Sequence, residues 1–339
     1  MVALVSMRAV QVSRLDGPSA VEVVDLPAPT TDPRGVLIDV AASGIAFPDV
    51  LLTRGLYQLK PALPFVPGAE VAGTVVSAPE GSGFAAGDRV AAFPGYGGFA
   101  EQVSVPAPFD FPLPDRVSFE AGAAVPMNYL TCHFALVERG RVQAGETVLV
   151  HGAAGGIGTA AIQLAKAFGA RVYAVVSDPS KGDVARVSGA DEVVAAAGFR
   201  ESVAELTGGR GVDIVVDPVG GDRFTDSLRS LAALGRLLVI GFTGGSIPEV
   251  KVNRLLLNNI SVVGVGWGAY WMGAGGPGYV RRQWDALLPL LESGAIDPPI
   301  GGVRPLAEAA AALTDIEERR ATGKLILSPS VPAPSGPHA

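Results

Sequence analysis

Cysteine is almost missing from this chain: Cys132 is the only one among 339 residues. No intrachain disulfide can form, and a four-thiolate zinc site is equally impossible. Histidine is nearly as scarce, with His133, His151 and His338 alone. Charged residues reach only 17% beside 48% hydrophobic ones, which excludes a disordered or coiled-coil chain. Positive charge is in deficit, with 26 Lys and Arg against 33 Asp and Glu and a net charge of −7. Phosphate backbones and anionic lipids favour the opposite balance, which argues against nucleic acid and membrane surfaces as partners. No apolar run reaches the roughly 20 residues of a membrane-spanning helix. The residues before Met7 carry neither a basic start nor a full apolar segment, so they read as an extension and not as a secretion signal. Together these absences fit a reducing, cytoplasmic setting.

Glycine and proline are plentiful, at 44 and 27. At roughly 150 residues per domain the length suggests two domains. The first 125 or so residues read as short strands, at 20–24, 36–41, 70–76 and 89–92, broken by dense Gly/Pro turns. That texture belongs to an antiparallel, barrel-like β region. A connector with Pro106, Pro108, Pro112 and Pro114 forbids a helix or a central strand there.

From Thr147 the texture changes. Strands at 147–151, 171–176, 212–217, 236–240 and 260–265 alternate with amphipathic helices. The helix at 157–168 carries an apolar stripe of Ile157, Ala161, Leu164 and Phe168 and is closed by Gly169. Strands apolar on both faces and spaced by helices imply a parallel sheet covered on both sides. Helices at 284–291 and 306–319 and a strand at 324–327 follow. The expected plan is α/β: a Rossmann-type doubly wound unit, residues 127–265, inserted into a β-rich unit made of 1–126 and 266–339. Residues 328–339 read as a disordered tail. A cleft between two such units is a usual place for a small-molecule site.

The strongest chemical signal runs from the strand at 147–151 into the following helix: Gly152, Ala153, Ala154, Gly155, Gly156, Ile157 and Gly158. A dinucleotide fingerprint needs glycine for a tight turn, for close approach of a pyrophosphate and for helix-on-strand packing. Gly155 and Gly158 fit the second and third roles, and Ala153 stands at the first. The bare amides near Ala154, Gly155, Gly156 and Ile157, backed by the helix dipole, would face the phosphates. The next strand ends in Ser177 without an acid for the adenosine ribose; Asp178 comes late and suits a helix cap. Ser177 and Lys181 would meet a 2′-phosphate, which favours NADPH over NADH.

At this point the chain resembles the zinc-independent quinone oxidoreductase (zeta-crystallin-like) branch of the medium-chain dehydrogenase/reductase superfamily. The likeness runs from about Met7 to Leu327. It rests on Ser43 and Gly44, Pro48 and Asp49, Gly55 to Tyr57, Leu63 to Glu70, Gly87 to Val90, Glu146 to Gly158, Val219 to Gly221, Gly235 to Phe242 and Arg320 to Lys324. The resemblance implies a GroES-like β domain, a Rossmann domain and a homodimer or higher oligomer. Zinc-dependent relatives place a Cys where Ala46 stands and a His where Ala69 stands, so no metal ligands are expected. Cys132 and His133 are adjacent and point about 100° apart on a helix, a pattern of packing and not of a catalytic pair. His151 is expected to bond backbone.

Without a Lewis acid the acceptor must be easily reduced. A quinone, or an enone or other alkene conjugated to a carbonyl, qualifies, because the added charge spreads onto an oxygen. The resemblance places Tyr57 facing the nicotinamide, as a proton donor or as a pocket wall. It also places Thr131 and Phe134 near the nicotinamide, Ile240, Gly241 and Phe242 along its ribose, and Arg320 within reach of the cofactor. Two departures stand out: Ala46 where branch members commonly carry Asn, and Ala196 where some carry a Tyr near the cofactor. A reductase of enones or enoyl thioesters, and a non-catalytic nucleotide-binding protein, are the competing readings. Hydride and one-electron routes both stay open.

Overall fold

The computed structural model describes residues 6–30 and 33–331. The expected extension before Ser6, most of the expected tail and His338 lie outside the described residues. The chain divides into two compact units: residues 1–127, 280–284 and 300–339 form the first, and 128–279 with 285–299 the second. Among the described residues no helix is long and apolar enough to cross a membrane.

In the first unit β1 (Ser6–Val12) and β2 (Val21–Pro27) form an antiparallel pair. Then come β3 (Gly35–Ile45), α1 (Phe47–Thr53), β4 (Glu70–Ser77), β5 (Arg89–Ala92), β6 (Gln102–Pro106) and β7 (Asp110–Pro112). Every second residue of β3, namely Val36, Ile38 and Val40, joins Val71, Val75, Val90, Val103 and Val105 in one buried cluster. That two-residue period marks one face of a pleated sheet. A side chain at Gly73 would put Cβ 2.0 Å from the Asp39 carbonyl, so β3 and β4 can close up only on glycine. The proline-rich connector becomes a single 3-10 turn and the edge strand β7, which pairs with β5 alone.

α2 (Phe119–Ala123) still belongs to the first unit, and the second takes in α3 (Pro126–His133) from Asn128 onward. Its sheet consists of β8 (Thr147–Val150), β9 (Arg171–Val176), β10 (Glu192–Ala195), β11 (Val212–Asp217), β12 (Leu231–Val239) and β13 (Ser261–Gly264). The order is β10-β9-β8-β11-β12-β13 and every pairing is parallel. This is the doubly wound order, with its switch point between β8 and β11. Val148, Leu149 and Val150 are wholly buried, as a strand covered on both faces requires. The chain then returns to the first unit with β14 (Ile300–Pro305) and β15 (Lys324–Ser328), and β15 pairs with β3.

Two expected boundaries move. The cut expected at 265/266 falls after Tyr279, because Phe134 stacks on Tyr270 at 5.1 Å and meets Tyr279 edge-on at 6.2 Å. Residues 285–299 also stay with the second unit: Gln163 donates to the Asp297 carbonyl at 2.7 Å and accepts from its amide at 2.9 Å. The tail does not start at Ser328. That residue is buried in β15, and its hydroxyl donates to the Ala41 carbonyl at 3.0 Å.

Candidate functional site

The fingerprint loop leaves β8 and enters α4 (Gly156–Ala167). The left-handed turn residue is Gly152, at φ +59°, one position earlier than expected; Ala153 is buried in ordinary backbone. Gly155 is the N-cap of α4 and supplies no side-chain bond to the helix start. The first-turn amides, at Gly156, Ile157 and Gly158, are therefore not capped from a side chain, and the helix dipole points outward through them. At Gly158 an added Cβ would lie 2.2 Å from the Gly152 carbonyl and 2.6 Å from Ala153 Cα. That glycine is what lets α4 pack on the turn. At Gly156 a Cβ would meet the Asn128 amide at 2.4 Å, a neighbour that periodicity gives no hint of. The cradle so formed fits a pyrophosphate: amides, a dipole and no side chain in the way.

The strand that would select the nucleotide ends as expected. Ser177 is exposed just past β9, and Asp178 is occupied as a cap, its carboxylate accepting from the Ser180 amide at 2.9 Å. Lys181 closes the 3-10 turn Pro179–Lys181. Ile240, Gly241 and Phe242 lie immediately past β12, and the Ile240 amide donates to the Asp217 carbonyl at 2.9 Å. Thr131 and Phe134 are both buried, and a face of the Phe134 ring is already taken by Tyr270.

Three residues beside this loop have structural work. The Cys132 thiol donates to the Ile157 carbonyl at 3.4 Å, and burial holds its pKa far above the ordinary thiol range. A thiol that keeps its proton is no nucleophile. His133 meets the Phe168 ring edge-on, and burial lowers its pKa. His151 bonds a side chain and not backbone as expected: its Nε2 lies 2.8 Å from Ser227 Oγ. Burial lowers its pKa to about 4, so it is neutral at physiological pH.

In the first unit Tyr57 follows α1 in the segment 54–67 and packs half-buried against the core cluster of Val12, Phe65 and Leu325. Burial, and then the charge of Asp49, raise its phenol pKa, so it keeps its proton throughout the neutral range. Asp49 is wholly buried and ties the start of α1 to the residue that follows that segment: its carboxylate accepts from the Ala46 amide at 2.8 Å and the Gly68 amide at 3.1 Å. Burial lifts its pKa to about 7. Glu70 is also wholly buried; it pairs with Lys324 and accepts from the Met127 amide at 2.7 Å. The motifs holding Asp49, Glu70 and Lys324 are visible in the sequence, but the cluster is not, because the partners are as far as 254 residues apart.

Ala46 and Ala69 stand where metal ligands would, and the carboxylates around them are spent on amides and on Lys324. The donor set does not fit zinc. Among the described residues no group of three or more His, Cys, Asp or Glu could hold a metal ion. Arg320 is ion-paired with Asp315 at 2.6 Å and with Glu318, so its guanidinium has partners within its own unit.

Residues 32–115 match the alcohol dehydrogenase GroES-like domain family, and residues 156–293 the zinc-binding dehydrogenase family. Quinone oxidoreductase-like protein 2 of Bos taurus is 39% identical over 325 residues, covering 95% of this chain and 92% of its own. The chain belongs to the medium-chain dehydrogenase/reductase superfamily, in its quinone oxidoreductase-like branch. Among solved structures, a probable oxidoreductase of Mycobacterium abscessus is 45% identical with a TM-score of 0.87, covering 96% of this chain and all (100%) of its own. A mycobacterial protein solved with NADPH is 34% identical with a TM-score of 0.86, again covering 96% and 100%. The zinc-binding label of the matched family is at odds with this chain's own donors, since alanines stand at 46 and 69.

Proposed function

We propose that this chain is a zinc-independent, NADPH-dependent reductase of quinones. The observation that carries the reading is the uncapped start of α4, where Gly155 supplies no capping side chain and Gly156 and Gly158 admit none. The amides of Ala154, Gly156 and Ile157 would hold the pyrophosphate, and Ser177 with Lys181 the 2′-phosphate; the Gly155 amide, expected among them, is instead taken by the Gly152 carbonyl at 3.0 Å. Thr131, Phe134, Ile240, Gly241 and Phe242 would bound the nicotinamide half; Arg320 would serve there only by giving up Asp315. The bound cofactor supplies the reducing hydride, and the chain supplies placement and exclusion of water. Tyr57, holding its proton, would donate to the oxygen on which charge builds in the reduced acceptor. The NADPH-bound relative supports the cofactor, and the Bos taurus relative's name supports the acceptor class.

NADPH oxidation measured across quinones, enones and enoyl thioesters tests this reading. Turnover of quinones is the expected result; turnover of enoyl thioesters alone would replace the acceptor class. Tyr57→Phe should lower turnover roughly 10²- to 10⁴-fold while NADPH affinity holds. An unchanged rate would reduce Tyr57 to a wall of the pocket.

The free edge of β13 supports a homodimer. In the stretch leading into that strand, Ile247, Val252, Leu256 and Leu257 are each more than 70% exposed, and no residue of the helix Asn253–Asn258 is buried. An unpaired strand flanked by such side chains suits a second copy pairing edge to edge. Placing a charge there with Leu256→Glu should yield monomers in sedimentation. Cysteine scarcity supports a cytoplasmic, reducing location.

A further inference from the structure

Tyr57 stands on a stretch that does little to hold itself in place. Among the described residues, 57–64 make no hydrogen bond from backbone or side chain. Pro61 and Pro64 carry no amide hydrogen, and residues 58–60 and 62–64 are exposed. The last bond before the stretch runs from the Leu56 amide to the Leu51 carbonyl at 2.9 Å. After it, Phe65 and Val12 exchange two backbone bonds, at 2.8 and 3.1 Å. The place of the phenol is therefore set by its packing and by how the two ends of this loop are fixed to each other.

Asp49 fixes them. One carboxylate oxygen accepts from the Ala46 amide, at the N-cap of α1, and the other from the Gly68 amide, beyond the far end. The bond to Gly68 spans the stretch, and the group that makes it is wholly buried. Gly68 is held in turn: its carbonyl accepts from the Gly98 amide at 2.9 Å, and a Cβ on it would lie 2.5 Å from the Phe99 amide nitrogen. The charges that face Asp49 are Glu70 on β4 and Lys324 on β15, and its own charge reaches the Tyr57 phenol. Burial lifts the Asp49 carboxyl to about 7, opposed by the Ala46 amide and Lys324 and assisted by Glu70. An ionised carboxylate makes two charge-assisted bonds to two amides; a carboxyl that has taken a proton keeps one good acceptor oxygen.

We infer that Asp49 is a positioning residue for Tyr57: ionised, its carboxylate closes the loop that carries the phenol, and protonated, it releases the Gly68 end. The inference rests on the reading of Tyr57 as the proton donor. Asp49 acts through the tyrosine and in two ways that agree. It holds the loop, and its negative charge disfavours a second anion at the phenol, so the proton stays on Tyr57 until the acceptor takes it. Turnover should therefore fall as pH drops through neutrality. A phenol acting without Asp49 would show no such limb, because it is protonated across that whole range.

Tyrosine labelled with carbon-13 at Cζ reports the coupling in the full chain with neither cofactor nor acceptor. The Tyr57 resonance, assigned by its loss in Tyr57→Phe, should move between pH 5.5 and pH 8.5 with a midpoint at about 7. It should stay still in Asp49→Asn. A resonance that does not move in the wild-type chain would overturn the inference whether or not the variant folds, and so would a midpoint that survives in folded Asp49→Asn. With NADPH and a quinone, wild-type kcat should drop roughly tenfold from pH 8 to pH 6, following the ionised fraction of the carboxyl. Asp49→Asn should lower kcat roughly tenfold to a hundredfold at pH 8, flatten that limb and leave NADPH affinity unchanged. A folded variant that keeps the parental limb would also overturn it. Lost movement in Asp49→Asn together with unchanged turnover in Tyr57→Phe would leave the positioning in place and bring down the donor reading beneath it instead.

Discussion

At the carboxyl end of the parallel sheet the working groups are main-chain amides, freed by Gly155 and Gly156 and positioned by Gly152 and Gly158. In the β-rich unit they are side chains: the half-buried Tyr57 and the wholly or almost wholly buried Asp49, Glu70 and Lys324. The first arrangement is local, written in seven consecutive residues, and depends on what is missing from the side chains. The second is assembled from α1, β4 and β15, and depends on charges balanced inside a dry core. A main-chain site breaks when atoms are added. A buried ionic site breaks when a partner is removed, because the charge left behind loses both water and its counter-ion.

Removing that partner is the harshest test of the difference. Lys324→Met would leave the Glu70 carboxylate wholly buried with only the Met127 amide to answer it. A loss of about 3–5 kcal/mol in unfolding free energy is expected by denaturant titration at pH 7.5. The double variant Glu70→Gln/Lys324→Met should recover most of the stability. A single variant as stable as the parent would show that the pair is not the buried counter-ion arrangement described above.

The glycine loop should respond to addition, and position by position. Gly158→Ala forces Cβ against the Gly152 carbonyl and Ala153 Cα, both backbone atoms that cannot swing aside. A cost of about 1–3 kcal/mol is expected, together with weaker binding of NADPH, because α4 is pushed off the turn. At Gly155 the nearest atom to an added Cβ is the Gly152 carbonyl at 3.5 Å, an ordinary contact. Gly155→Ala should therefore keep stability yet still lower affinity by screening the amides. Thermal melts and calorimetry on the two variants separate packing from binding; equal losses of stability would contradict the division of roles between these glycines.

What the sequence made legible follows the same line. The doubly wound sheet was readable because buried parallel strands are continuous apolar runs, as at 148–150 and 172–176. The loop was readable because glycine placement is local chemistry. The cap at Asp178 was readable too, since a cap lies within two residues of its partner. Two kinds of feature were hidden. The Asp49 clamp and the Glu70–Lys324 pair join residues distant in the chain, and no periodicity encodes such a pairing. The assignment of residues 266–279 to the second unit depends on the stacking of Phe134, Tyr270 and Tyr279, which again joins residues distant in the chain. His151 shows the same limit at short range: its place beside the loop was readable, but its Ser227 partner was not.

Asp110 offers the finest test, because it is the buried carboxyl of the β-rich unit that, unlike Glu70, received no hydrogen-bonded partner. It sits in the edge strand β7, wholly buried, and neither carboxyl oxygen has a hydrogen-bond partner among the described residues. Arg281 donates to its main-chain carbonyl at 2.9 Å, not to its carboxyl. Burial raises its pKa to about 9, only partly opposed by the Arg281 charge. The folded chain thus holds a proton on Asp110 that the unfolded chain, with an ordinary carboxyl pKa near 3.9, has already released. Between those two values the native state binds more protons, so this group's contribution to stability falls as pH rises from about 4 towards 9. Asp110→Asn, which cannot ionise, should lose that dependence: its melting temperature relative to the parent should climb from pH 5 to pH 9, by the equivalent of about 1.4 kcal/mol for each pH unit. A parent and variant whose difference stays flat with pH would mean that Asp110 ionises normally, and that the β-rich unit tolerates a lone buried carboxylate as readily as a paired one.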